Sequence, residues 1–158
     1  MPDQTPVQIA WVTPDTDATE KALTTLLGVK KWIRMPGVHF GPDSCTYRGS
    51  PADFVADISL SYAGDTQLEL IAPVRGDSIY TDFLGRAGAG LHHVCIETDD
   101  LEHALAEREG EVVQRGVMPG GMEFAYVSAE SAGVPYIEIA YISPEIRAFF
   151  DYIKQEQK

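Results

Sequence analysis

An internal repeat constrains the fold of this chain more than any other feature of its sequence. Strand-like apolar runs at residues 7–13 and 92–98 are each followed by acidic residues, an amphipathic helical pattern and a glycine, Gly28 or Gly110, at which we expect the helix to end. Three further strand-like runs follow each helix, and each half closes on a similar strand. Because the same elements recur in the same order, the sequence predicts two tandem βαβββ modules.

The predicted fold is a single α+β domain over residues 1–158, in which the two modules form an open, curved mixed sheet around a cleft. Module one spans residues 7–75, a linker 76–90, module two 91–142 and a C-terminal helix 143–156. The strand-like runs that follow the two helices lie near residues 30–35, 53–62, 66–73, 111–117, 122–129 and 134–142.

The charge of the chain disfavours two classes of partner. Its 12 basic and 24 acidic residues give a net charge of −12, which repels nucleic-acid phosphates and anionic membrane lipids. No apolar run approaches the roughly 18 residues of a spanning helix, the N-terminus lacks a signal-peptide pattern, and two cysteines are too few for a disulfide framework. We therefore predict a cytoplasmic protein that binds a small molecule, with Arg34, Arg75 and Arg86 available to pair with an anionic one.

Four polar residues occupy matching positions in the two modules. In the first strand of each module Gln8 falls on His93, and in the last strand Glu69 falls on Glu138. Strand alternation places all four on the face opposite the apolar face that packs on the helices. Two curved sheets can turn those faces inward, so the sequence predicts that these side chains meet in the cleft.

This set of side chains suits a divalent metal ion, which would make the cleft a metal-binding one. Two carboxylates cancel the charge of the ion, and a neutral imidazole and an amide oxygen complete a set with open positions. Without an ion, two buried carboxylates would repel each other and at least one would hold a proton. The alternative is that Glu69 and Glu138 are solvent-facing residues of one-sided strands and that His93 is structural.

Other histidines and acidic residues are not expected to bind the ion. His92 is predicted to point away from His93, so both can bind one ion only if the strand has a bulge. Glu97 lies roughly 13 Å along the strand from His93, while His39 falls in a loop and His103 on a charged helix. Four aromatic residues either line the cleft or belong to the core: Tyr80, Phe83, Phe124 and Tyr126.

The chain resembles the vicinal-oxygen-chelate superfamily, which includes glyoxalase I, methylmalonyl-CoA epimerase, extradiol dioxygenases and bleomycin-resistance proteins. The resemblance extends from residue 7 to about residue 141, and the segments that carry it are 67–73 (QLELIAP), 90–94 (GLHHV), 99–101 (DDL), 124–127 (FAYV) and 136–139 (YIEI). It implies a homodimer, and metal ligands on the first and last strands of each module, which are Gln8, Glu69, His93 and Glu138.

One position departs from the branch that the chain resembles most. Methylmalonyl-CoA epimerases usually have His where this chain has Gln8. The set of Gln, Glu, His and Glu is instead similar to the ligands of eukaryotic-type glyoxalase I. Extradiol dioxygenases need two histidines and one carboxylate for iron, and Gln8 and Glu69 do not supply the second histidine, so the resemblance disfavours that branch.

The resemblance implies an isomerase, epimerase or lyase that transfers a proton next to the carbonyl of a small thioester or hemithioacetal. A divalent ion (Zn, Ni, Co, Mn or Mg) polarises the carbonyl oxygen, and Glu138 or, as second choice, Glu69 moves the proton. The alternative is a non-catalytic small-molecule-binding protein like those of bleomycin resistance, with Trp32, Tyr62 and Tyr126 lining the cleft.

Overall fold

The predicted pair of βαβββ modules is present in the computed structural model, which describes residues 4–158. Over these residues the chain forms ten strands and four α-helices. The elements are β1 Pro6–Val12, α1 Thr16–Leu27, β2 Ile33–Phe40, β3 Cys45–Tyr47, β4 Ser50–Pro51, β5 Phe54–Ala63, β6 Thr66–Arg75, α2 Ile79–Ala87, β7 Gly90–Glu97, α3 Leu101–Ala106, β8 Val112–Val117, β9 Glu123–Ser128, β10 Tyr136–Tyr141 and α4 Pro144–Gln155.

All ten strands belong to one mixed sheet, in the order β2-β5-β6-β1-β7-β10-β9-β8-β3-β4. Each module contributes four strands in the same internal order, and the two first strands, β1 and β7, pair antiparallel at the centre. In each module the first strand also pairs parallel with the last, so that Gln8 lies opposite Gln67 and His93 opposite Tyr136. The predicted fold class is therefore confirmed.

The two module helices begin in the same way. Asp15 accepts a hydrogen bond from the amide of Ala18 at the start of α1, and Asp100 accepts one from the amide of His103 at the start of α3. Such acidic caps satisfy amides that have no partner within the helix. Helix α1 ends at Gly28 as predicted.

Helix α3 is shorter than predicted. It ends at Ala106, before Gly110, so its last turn is not capped by a glycine as that of α1 is. The Arg108 side chain donates a hydrogen bond of 2.7 Å to the carbonyl of Ala104, which satisfies an acceptor that a longer helix would have paired internally.

The segment predicted as a linker contains a helix of its own. Ser78 caps α2, and Ile79, Tyr80 and Phe83 are buried against the inner face of the sheet. The linker therefore contributes side chains to the interior between the modules.

An insertion in module one joins the two outer edges of the sheet. The chain leaves β2 at one edge and forms the β3–β4 hairpin, and β3 pairs with β8 of module two at the other edge. Phe40, the last residue of β2, stacks on Phe54 of its own module and meets Phe124 of module two edge to face. The curved sheet is thereby closed on one side by packing across the module boundary.

The close approach of β3 to β8 depends on Gly116. A Cβ at this position would overlap Cys45 Sγ on β3. We expect Gly116→Ala to lower the free energy of unfolding by about 1–3 kcal/mol, because the added methyl forces a packed strand pair apart. Gly90→Ala is the matched control, since no atom lies within 4 Å of the place where its added methyl would sit. Urea unfolding of both variants tests this, and equal stability would contradict it.

Candidate functional site

The structure brings the four predicted side chains together around one atom, Nε2 of His93. This nitrogen lies 3.1 Å from Oε1 of Gln8, 3.5 Å from Oε1 of Glu69 and 3.6 Å from Oε1 of Glu138. The strand register produces this meeting. Glu69 on β6 lies beside β1, Glu138 on β10 lies beside β7, and β1 and β7 are themselves paired.

A neighbouring amide fixes the orientation of Gln8. Nε2 of Gln8 donates a hydrogen bond of 2.6 Å to Oε1 of Gln67, and Nε2 of Gln67 donates in turn to the hydroxyl of Tyr62. The oxygen of the Gln8 amide is therefore the atom that faces His93. Gln67 was not among the predicted site residues, although its place opposite Gln8 on the paired strand follows from the parallel pairing.

The prediction that His92 points away from the cleft is wrong. Between Ala10 and Trp11 the partner positions on β7 jump from His93 to Leu91, so His92 is the extra residue of a β-bulge. The bulge turns the His92 ring inward beside that of His93, while Leu91 is exposed. His92 is fully buried and packs against four aromatic rings, those of Tyr80, Phe83, Tyr126 and Tyr136.

The two histidine rings share a hydrogen bond. Their Nδ1 atoms are 2.8 Å apart, and such a contact needs one N–H and one lone pair. The tautomer of one ring therefore determines the tautomer of the other. In this structure Nε2 of His93 donates to Oε1 of Gln8, so Nδ1 of His93 accepts from Nδ1 of His92. When Nε2 of His93 instead presents a lone pair, the proton of His93 is on Nδ1 and is donated to His92. Either bond orients the His93 ring.

The two carboxylates are buried and short of positive charge. The side chain of Glu69 is 14% exposed and that of Glu138 is 5% exposed. Burial raises the pKa of Glu69 to about 8. Burial also raises the pKa of Glu138; His93 opposes this rise and Glu69 adds to it. Oε1 of Glu138 has no hydrogen-bond partner, and among residues 4–158 no lysine or arginine pairs with either carboxylate.

The histidines do not supply that cation. Burial lowers the pKa of His93, and the opposing effect of Glu138 is smaller. The pKa of His92 is lowered well below its ordinary value, first by burial and then by His93. Both rings are therefore neutral near pH 7. At that pH the site consists of a neutral imidazole, an amide oxygen, the protonated carboxyl group of Glu69 and the carboxyl group of Glu138, whose pKa is also raised.

Two tyrosines form a second polar group beside the carboxylates. The hydroxyls of Tyr80 and Tyr126 are 2.6 Å apart. Burial, and secondly Glu138, raises the pKa of each well above its ordinary value, so both stay protonated. One of the two protons is used between the hydroxyls, and the other is free to be donated to a third group.

A cavity of about 510 Å³ opens from this polar cluster toward the surface. Gln8, Glu69, Glu138, Tyr80 and Tyr126 line its polar end. The rest of its wall is mostly apolar and includes Met35, Val38, Phe40, Ile58, Leu60, Ile71, Met118, Met122, Phe124, Ile146, Phe149 and Phe150. The last three lie on α4, so the C-terminal helix forms part of the cavity wall.

The remaining predicted residues lie outside the cluster. His39 pairs with Asp53 at the surface, and His103 pairs with Glu107. Glu97 pairs with Arg147. Of the aromatic residues, Tyr80, Phe124 and Tyr126 line the cavity, whereas Phe83 packs behind His92. Trp32 donates to the hydroxyl of Thr24 and is not part of the cavity wall.

The three arginines considered for an anionic ligand are each engaged in ion pairs, and none lines the cavity. The pairs are Arg34 with Glu20 and Asp17, Arg75 with Asp53, and Arg86 with Asp82.

Comparison with known proteins relates the chain to one superfamily. The family model of the glyoxalase/bleomycin resistance protein/dioxygenase superfamily matches residues 7–126. Mouse mitochondrial methylmalonyl-CoA epimerase is 44% identical over 45 residues, which are 28% of this chain and 25% of that protein. The uncharacterized protein YqjC of Bacillus subtilis is 28% identical over 88 residues, which are 52% of this chain and 63% of that protein. The matched segments thus span from a quarter to under two thirds of these relatives.

Solved structures share the fold over most of the chain. The methylmalonyl-CoA epimerase of Mycobacterium tuberculosis superposes with a TM-score of 0.61 at 17% identity, covering 90% of this chain and 91% of that one. A Streptomyces coelicolor methylmalonyl-CoA epimerase variant in complex with 2-nitronate-propionyl-CoA gives 0.58 at 17% identity, covering 88% and 98%. Within residues 4–158, no helix is long and apolar enough to cross a membrane.

The raised pKa of Glu69 predicts a fall in the stability of the metal-free protein between pH 7 and pH 8. In this range the unfolded chain has already lost the proton, because the ordinary pKa is 4.5, whereas the folded protein loses it only near pH 8. Unfolding is therefore favoured as the pH rises, by about 1 kcal/mol over this unit. His92 and His93 add little, since both are largely neutral in either state.

Urea unfolding in the presence of a chelator at pH 7.0, 7.5 and 8.0 measures this slope. Glu69→Gln should remove most of it, while Glu102→Gln, at a carboxylate that is 74% exposed, should leave it unchanged. A wild-type protein whose stability does not fall over this range would contradict the assignment of Glu69 as a buried, protonated carboxyl group.

Proposed function

The chain belongs to the glyoxalase/bleomycin resistance protein/dioxygenase superfamily, and we propose that it is a divalent-metal-dependent isomerase, epimerase or lyase that transfers a proton next to the carbonyl of a small thioester or hemithioacetal. The observation that carries this proposal is the meeting of Gln8, Glu69 and Glu138 around Nε2 of His93. The likeness to methylmalonyl-CoA epimerases supports the same type of reaction.

The residues at the site fit a divalent ion. Atoms that share an ion at about 2.1 Å in a tetrahedral site lie about 3.4 Å apart, close to the 3.5 and 3.6 Å that separate Nε2 of His93 from the two carboxylates. The unpartnered Oε1 of Glu138 is a buried acceptor that such an ion would satisfy. No three His, Cys, Asp or Glu side chains among residues 4–158 form a ready-made cage, so binding would require small movements of these side chains.

The donor set supports one divalent ion but does not select among Zn, Ni, Co, Mn and Mg. Glu69, His93 and Glu138 would hold it, with Gln8 as the weaker ligand. A bound ion supplies Lewis acidity at a carbonyl oxygen, which makes the neighbouring C–H more acidic. Both carboxyl groups must lose their protons to bind it, so its affinity should rise with pH over the range in which Glu69 titrates.

Glu138 is our first choice for the residue that takes the proton, and Glu69 the second. A carboxyl group whose pKa is raised toward neutrality by burial is a suitable general base. The two groups come from opposite modules and approach His93 from different strands, β6 and β10. Two carboxylates placed in this way can reach a carbon from two sides, which is what inversion of its configuration requires.

The tyrosine pair can stabilise the negative charge that develops on the substrate. Tyr80 and Tyr126 remain protonated, and one of their two protons is not used between them. Its donation to the substrate oxygen would stabilise an enolate in a site with little water. This role needs no proton transfer from the tyrosines.

A non-catalytic ligand-binding protein is the second candidate, and the largely apolar cavity favours it. Two buried carboxyl groups argue against it, because their burial is costly and serves no purpose in simple sequestration. Homodimer formation and a cytoplasmic location remain proposals. Light scattering tests the first, since a mass near 17.3 kDa would indicate a monomer.

Replacing Glu138 tests the proposed chemistry. We expect Glu138→Gln to lower turnover by at least ~10²-fold, because the amide keeps the size of the side chain but cannot accept the proton. The assays are solvent-deuterium incorporation at the α-carbon of methylmalonyl-CoA and isomerisation of the methylglyoxal–glutathione adduct. Glu97→Gln, on the same strand as His93 but paired with Arg147, is the control and should retain activity. Full activity of Glu138→Gln on a true substrate would rule out this base.

A further inference from the structure

We propose that the substrate carries a bulky apolar group, an alkyl chain or an aromatic ring, on the carbon next to its reacting carbonyl. This inference rests on the proposed function for the reacting end of the substrate. The proposed substituent differs from the small, charged acyl group of methylmalonyl-CoA. The inference is drawn from the cavity next to the carboxylates.

The lining of the cavity is polar around His93 and mostly apolar elsewhere. The polar atoms of Glu69, Glu138 and the Tyr80–Tyr126 pair are together at one end, beside His93. Aliphatic, methionine and phenylalanine side chains from both modules and from α4 form the other part: Met35, Ile58, Leu60, Met118, Met122, Phe124, Phe149 and Phe150. A carbonyl held at the polar end therefore directs its substituent into apolar surroundings.

No lysine or arginine lines this cavity among residues 4–158. The cationic side chains considered for an anionic ligand, Arg34 and Arg75 among them, are engaged with carboxylates elsewhere. His39, which is at the cavity wall, is bonded to Asp53. A carboxylate on a substituent enclosed by the apolar wall would therefore lose water without gaining a counter-charge, which opposes its binding.

The cavity has far more space than a methyl group occupies. At about 30 Å³ for each water-sized group, a space of 510 Å³ has room for on the order of 15 such groups. A methyl substituent would leave most of this space unfilled. A pantetheine arm is a poor occupant, because its two amides would need hydrogen-bond partners that the apolar wall does not offer. The three methionines of the wall can adapt to an irregular alkyl or aryl group.

Binding of simple probes to the metal-free chain tests the apolar part of the cavity independently of any reaction. In NMR titrations with a chelator present, we expect butan-1-ol, pentan-1-ol and hexan-1-ol to bind with an affinity that rises roughly threefold to fourfold per methylene. Hexanoate should bind at least ~10-fold more weakly than hexan-1-ol, because its charge would lose water without gaining a cation. Equal or tighter binding of hexanoate, or no dependence on chain length, would overturn the proposal.

A charge placed at the cavity wall gives a second test. Met35 is half-buried at the wall. In Met35→Lys the new side chain can follow the wall and keep its ammonium group near water. This variant should bind hexan-1-ol at least ~fivefold more weakly and should narrow or reverse the preference over hexanoate. Leu26→Lys, at a leucine that is 76% exposed on α1, is the matched control and should bind both as the wild type does. Identical probe binding by the two variants would contradict the assignment of this wall as the binding surface.

Solvent-deuterium exchange separates this inference from the proposed function. Both test compounds are thioesters of coenzyme A, so they differ only in the acyl group. We expect kcat/KM for 2-phenylpropionyl-CoA to exceed that for methylmalonyl-CoA by at least ~10-fold in the metal-loaded protein. Faster exchange on methylmalonyl-CoA would overturn the apolar substituent and leave the proton-transfer function standing. If neither compound exchanges and the methylglyoxal–glutathione adduct is not isomerised, while hexan-1-ol still binds in preference to hexanoate, the apolar ligand class stands and the proposed reaction falls.

Discussion

Two carboxyl groups buried beside a neutral imidazole govern how the centre of this structure is built. Glu69 and Glu138 approach the same atom of His93, and Oε1 of Glu138 has no partner. Burial of such a pair opposes folding, as the raised pKa of Glu69 indicates. The sheet nevertheless encloses both groups, and Gln67 and His92 fix the orientation of their neighbours Gln8 and His93. A divalent ion would convert this unfavourable arrangement into a stabilising one.

The tandem repeat explains how one chain builds this cluster and a cavity at once. Antiparallel pairing of β1 with β7 places the two modules around an approximate twofold axis, so each module supplies one carboxylate and one further side chain. The parts outside the repeat make the cavity asymmetric. Helix α2 contributes Tyr80, the β3–β4 hairpin closes one side, and α4 adds Phe149 and Phe150 to the wall. The repeat thus supplies the four converging side chains, and the added parts contribute Tyr80 and part of the cavity wall.

The elements that could be predicted from the sequence are those that depend on local patterns. Strand alternation and the repeat were enough to bring Gln8, Glu69, His93 and Glu138 together, because side-chain direction in a regular strand follows residue number. The inward turn of His92 could not be predicted in this way, since it depends on a bulge that pairing with β1 creates. The pairing of β3 with β8 and the partnership of Tyr80 with Tyr126 are contacts between distant segments, for which a single sequence contains no periodic signal.

A divalent-metal centre formed by the four converging side chains is the hypothesis on which the proposed chemistry stands. Anomalous diffraction from crystals grown with MnCl₂ is its sharpest test, because the signal identifies both the ion and its ligands. We expect about one Mn per chain at roughly 2.0–2.3 Å from Glu69, His93 and Glu138, with the same peak lost in Glu69→Gln and Glu138→Gln crystals. Absence of an anomalous peak at this position with Mn, and then with Co and Zn at millimolar concentration, would contradict it.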